Sequence, residues 1–169
     1  YAENTKEHDI TFDGDFSKLI QGVHLVDLYT AINVVSAETP YNRTYFHFNP
    51  GYHLSPYKGL HIKAGFNTTY FTDDLNNSTF NFFPVADARY EVIPQKAIAF
   101  AGIDGKVMKN TNRSLLHENR FAYPAGIFPN SINKFEFYAG IKGNFSAKTG
   151  YLFSYGYRRM KDMVFFVND

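Results

Sequence analysis

Apolar and polar residues alternate along most of the chain, most clearly in "LHIKAGFNTTYF". There Leu60, Ile62, Ala64, Phe66 and Tyr70 share one parity, and His61, Lys63, Gly65, Asn67 and Thr69 the other. Successive strand side chains point to opposite faces, so this segment predicts a strand with one apolar and one polar surface. The same pattern recurs in "TYFHFNPGYHL", "VADARYEV", "FEFYAGIKGNFS" and "GYLFSYGYRR", where Tyr151, Phe153, Tyr155 and Tyr157 line one side. Weaker strands are expected in "DITFDGDF", "VHLVDLYTAINVV" and "KAIAFAGIDGKV". A short helical turn is expected only near "FSKLIQGV", residues 16–23, because no segment sustains a helical period.

The expected fold is all-β: an antiparallel up-and-down meander of about eight to ten long strands. Its connections divide into two kinds. "SPYKG" (55–59), "IPQK" (93–96) and "SAKTG" (146–150) are short, whereas "SAETPYNR" (36–43), "TDDLNNST" (72–79) and the stretch 109–133 are long and polar. In a meander, alternate turns lie at the same end, so short turns gather at one end and long loops at the other, as in outer-membrane barrels. "LHIKAGFN", "AIAFAGID" and "FEFYAGIK" also align on Ala64-Gly65, Ala101-Gly102 and Ala139-Gly140. The spacing of the three predicts one hairpin step between each pair, with the polar-face glycine leaving room in a crowded interior.

An apolar face can cover a protein core or touch lipid, and composition bears on which. The 169 residues include 18 Phe and 13 Tyr but no Trp and no Cys. Without cysteine there is no disulfide framework, thiolate metal site or cysteine nucleophile. With 17 Lys plus Arg against 16 Asp plus Glu, no charge excess argues for nucleic acid as a partner. The chain opens "YAENTKEHDI", with neither Met nor a basic and apolar leader, and is expected to be a mature chain or an excised piece. No apolar run approaches the roughly 20 residues of a membrane helix. A membrane role would fall to the strands, with Tyr70, Phe71, Phe135 and Tyr157 near strand ends as candidate interfacial girdles.

The run from "NKFEFYAGIKGNFSAKTGY" to "VFFVND", with "HENRFAYPAGIFPNS" and "FNPGYHLSPYKGLHIKAGFN", resembles the barrel region of TonB-dependent-receptor-like outer-membrane proteins of Gram-negative bacteria. The resemblance spans residues 45–169. It implies a bacterial outer-membrane address and a wall of hairpins in contact with the lipid bilayer. It further implies a plug domain, an inner-membrane energising partner and uptake of a nutrient ligand. Residues 1–169 are then a single β-barrel region, expected to be a portion of a larger barrel protein, since such receptors have 22 strands. A small closed barrel is the structural alternative, and a soluble β-sheet binding module for lipid or carbohydrate is the alternative function.

Catalytic and metal chemistry has few candidates. His53 and His61 flank "SPYKG" with the same parity, so a simple hairpin register places them opposite each other, with His47 further along that face. Two imidazoles are short of a full zinc set. Asp87 and Glu91 share a strand face, and Asp73, Asp74, Asn76 and Asn77 have the oxygen-rich composition of calcium loops without their spacing. No nucleophile elbow, HExxH or phosphate-binding glycine loop occurs. The expectation is a non-enzyme with no catalytic, cofactor or metal residues.

Overall fold

The computed structural model describes residues 6–21, 24–37, 41–72, 77–94, 96–119, 129–146 and 148–165. Eight strands follow one another: β1 (Glu7–Ile20), β2 (His24–Ala37), β3 (Tyr41–Tyr57), β4 (Leu60–Thr72), β5 (Ser78–Ile93), β6 (Ala97–Met108), β7 (Ser131–Ser146) and β8 (Thr149–Lys161), with α1 (Asn112–Glu118) between β6 and β7. They form one sheet in sequence order, every neighbour antiparallel. The meander expected from the alternation is therefore present, and strands of 12 to 17 residues exceed the usual globular length. The sheet is not closed: β1 and β8 are its two edges.

The expected neighbours pair as the alternation requires. Leu60 lies opposite Tyr90, Ala64 opposite Ala86, and Phe137 opposite Tyr157 across the "SAKTG" turn. The short turns lie at one end, where Gly59 takes a positive φ of 82° that glycine adopts without steric cost. Three expectations are corrected. Residues 16–20 continue β1 instead of coiling, since Phe16, Lys18 and Ile20 keep the alternation against Leu28, Val26 and His24. "SAETPYNR" is largely strand, with only 38–40 separating β2 from β3. Finally, Ala64-Gly65 and Ala101-Gly102 lie a hairpin apart on β4 and β6, but Ala139-Gly140 lies on the very next strand. Ala101 faces Ala139 directly. The second interval was filled by the β6–β7 connection, so its length mimicked a hairpin step.

The two faces separate by chemistry. Following the registers across the sheet, Phe12, Ile32, Phe46, Tyr70 and Phe80 form one row, and Val26, Tyr52, Ala64, Ala86, Ile103, Phe137 and Tyr157 another. Many of these side chains are exposed, Phe12 by 74% and Phe80 by 65%. Asp27, Lys63, Asp87, Asp104, Glu136 and Arg158 occupy the opposite, concave face. A small apolar cluster of Val35, Tyr45 and Phe71, with Ala37 and Val107 against it, also lies on the concave face, toward the end of the longer connections. Phe71 is thus part of an interior cluster and not of an outer girdle; Tyr70, Phe135 and Tyr157 are on the exposed apolar side.

Candidate functional site: the concave polar face

The concave face carries a recess of about 380 Å³, lined by residues from β2 to β7 that include Asp27, Lys63, Asn67, Asp87, Asp104 and Tyr138. Strands five places apart in the sheet border one hollow, so the sheet is strongly curled. The curl is tied by side chains that reach over an intervening strand. Lys63 on β4 donates to the Asp27 carboxylate on β2 at 3.3 Å, across Gly51 on β3. A Cβ on Gly51 would stand 2.5 Å from that carboxylate. Tyr138 on β7 donates to Asp87 on β5 at 2.9 Å, across Gly102 on β6, where a Cβ would fall on the phenol oxygen. Asn67 on β4 donates to Asp104 on β6 and to the Gly105 carbonyl, both at 3.0 Å. Of the three repeat glycines, Gly102 makes room for a polar bridge, whereas a Cβ on Gly65 would meet the Pro50 carbonyl and one on Gly140 the Phe153 carbonyl and the Phe100 ring.

Each acid in the recess is answered by a donor. Asp27 also contacts His53 at 2.5 Å. Asp87 pairs with Arg89 at 2.9 Å. Beyond the recess, Arg158 on β8 holds Glu136 on β7 in a two-toothed pair at 2.7 and 2.9 Å, and Asn133 donates to the same carboxylate. Paired charges with polar ligands on their free atoms suit a wet, lined interior, where each ion keeps water on one side.

The histidines expected to meet do not. The hairpin turns tightly at Lys58-Gly59, with Tyr57 opposite Leu60, and after a one-residue register shift His53 lies opposite Lys63, while His61 contacts Ser55 Oγ at 2.9 Å and His47 contacts Thr69 Oγ1 at 3.1 Å. Among the described residues no three His, Asp or Glu side chains converge as a metal set. Asp87 is engaged by Arg89 and Tyr138, whereas Glu91 is exposed near the turn end, its amide donating to the Gly59 carbonyl. Asp73, Asp74 and Asn76 lie outside the described residues, as does most of "HENRFAYPAGIFPNS". Parity placed Asn67, Asp104 and Tyr138 on polar faces but did not mark them as partners in one recess, and Asp27 was not singled out. Their available signal was a glycine of the same parity one strand away, which becomes legible only with the register.

No known family, no curated protein and no solved structure matches the chain.

Proposed function

We propose that the chain is part of the wall of a bacterial outer-membrane β-barrel, in a receptor or transporter that takes up a nutrient ligand. Its convex face meets hydrocarbon and its concave face the lumen. The observation that carries this reading is the segregation of the two faces of a single-layer sheet. Most ionised side chains of the described strands gather on the concave side, with Lys18 on β1 and Arg159 on β8 the exceptions at the edges, and Phe, Tyr, Ile, Leu and Ala fill most of the convex rows, without a second layer over them among the described residues. A Lys at the midplane of a barrel's lipid face costs roughly 2–4 kcal/mol, so the placement of Lys63, Asp87 and Arg89 supports the convex face as the one toward lipid. The open edges support a wall that continues. Hydrocarbon tolerates no unpaired strand edge, so β1 and β8 each take a neighbour, through further strands of a larger barrel or through each other in a small one. The resemblance adds a plug domain within the lumen and an inner-membrane partner that supplies energy.

The test places Cys singly at Phe66, packed between Phe48 and Phe82 on the convex face, and at Asn67 in the recess, in the full-length protein in membranes. A lipid-soluble probe is expected to react at the first position and a water-soluble reagent at the second. Equal aqueous labelling of both, or a detergent-free soluble protein with Phe66 buried, rejects the wall in favour of the soluble binding module.

A further inference from the structure

The described ends of the β6–β7 connection are bonded to the sheet. From the end of β6, Lys109 reaches across the concave face to β1 and β2, donating to Asp9 Oδ2 at 2.6 Å and Asn33 Oδ1 at 2.9 Å. Asn33, almost fully buried, donates in turn to Asp9 and to Thr11 Oγ1 at 2.6 Å. The next residue is held as well: Arg43 on β3, buried, donates to the Asn110 carbonyl at 3.2 Å. Tyr45 of the interior cluster donates to Asn130 Oδ1 at 2.9 Å, where the connection returns to β7. Asn110 ties the two limbs together through the Pro129 carbonyl and Ser131 Oγ, at 2.6 and 3.0 Å. Leu115 of α1 is buried.

We infer that residues 109–119 and 129–131 form a strap across the long-connection mouth of the concave face, latched to β1 and β2 by the Lys109–Asp9–Asn33 triad. The position narrows that mouth over the Val35, Tyr45 and Phe71 cluster. The latch is the part suited to release. Lys109 and Asp9 keep 29% and 25% of their side-chain surface open to solvent, so dissolved ions reach and screen the pair, whereas Tyr45 and Arg43 are sealed. What the strap would govern, passage of solute through the lumen, rests on the proposed barrel; the latch rests on the contacts alone.

The experiment measures the distance between spin labels on Cys at Leu116, on α1, and at Phe12, exposed on β1, in the full-length protein in lipid vesicles. A single narrow distribution is expected for the parent and for Lys109→Arg. Lys109→Met and Asp9→Asn are expected to enlarge a second, longer population roughly threefold to tenfold. Raising the ionic strength of the unsubstituted chain should act in the same direction, so the answer does not depend on a variant folding. Distributions unchanged by both substitutions and by salt overturn the strap. Entry of a small neutral sugar into the same vesicles gives the second readout and should rise with the longer population. If the distances respond but no form admits sugar, the latch stands and its control of passage falls; if sugar enters while the distances never change, the latch falls, and the wall itself is judged by the labelling at Phe66 and Asn67.

Discussion

At the scale of the residue, two glycines beside one tyrosine show what the concave face asks of its small positions. Tyr138 lies between Gly102 on β6 and Gly156 on β8. A Cβ at Gly102 would strike the phenol and the Ala86 carbonyl, whereas one at Gly156 meets nothing nearer than the Phe137 carbonyl at 3.7 Å. The ring therefore leans over β6 toward Asp87. Gly102→Ala is expected to destabilise by about 1–3 kcal/mol through overpacking and loss of the Tyr138–Asp87 bond. Gly156→Ala should be neutral or gain about 0.4–1 kcal/mol by restricting the unfolded chain. Urea midpoints of the full-length protein in micelles check the pair, and equal effects would contradict the lean. Parity alone put Lys63, Asp87, Glu136 and Tyr138 on the polar side from the sequence. Their partners stayed hidden, because a bridge from β7 to β5 depends on two registers and on the curl, neither of which is local.

At the scale of the element, long period-two segments were legible because each strand has one face of each polarity along its whole length. The failures were those of connection. The simple register for His53 and His61 centred the turn on Tyr57, whereas Tyr57 pairs with Leu60 around Lys58-Gly59, which carries His61 well past His53 and, with a one-residue shift, leaves Lys63 opposite it. The seven-residue α1 is too short to establish a helical period. Its one local mark is Thr111, whose hydroxyl accepts from the Ser114 amide at 3.1 Å while Ser114 Oγ accepts from the Thr111 amide at 2.9 Å. Thr111→Ala removes half of that reciprocal cap at a cost of about 1 kcal/mol. Amide exchange across 112–118 is expected to quicken by roughly fivefold while β4 and β5 are unchanged. Unaltered exchange in α1 would mean that the burial of Leu115, and not the cap, holds the helix.

For the whole molecule, surface area carries the argument. A compact soluble protein of 19.4 kDa exposes roughly 8,500 Å². This chain exposes 12130 Å², and Phe12, Phe80, Phe153 and Tyr157 are among the large side chains exposed on its convex side. Ala64→Arg separates the environments that could receive that side. Ala64 is exposed in the middle of β4, so an arginine there displaces no packing. Against water the change should stay within about 0.5 kcal/mol, and against hydrocarbon near the midplane it should cost roughly 2–4 kcal/mol. Equilibrium unfolding from vesicles measures the difference, and a neutral result would count against lipid. The unjoined rims of the sheet also constrain how such a wall enters a bilayer. Each bare amide or carbonyl immersed in oil costs several kcal/mol, so a row of them on β1 and another on β8 leaves no restful half-inserted stage. Hairpins cannot be threaded in one after another and left waiting. A curled sheet proposed as such a wall would have to be covered along its rims, or sealed into a seam, at the same moment that it sinks.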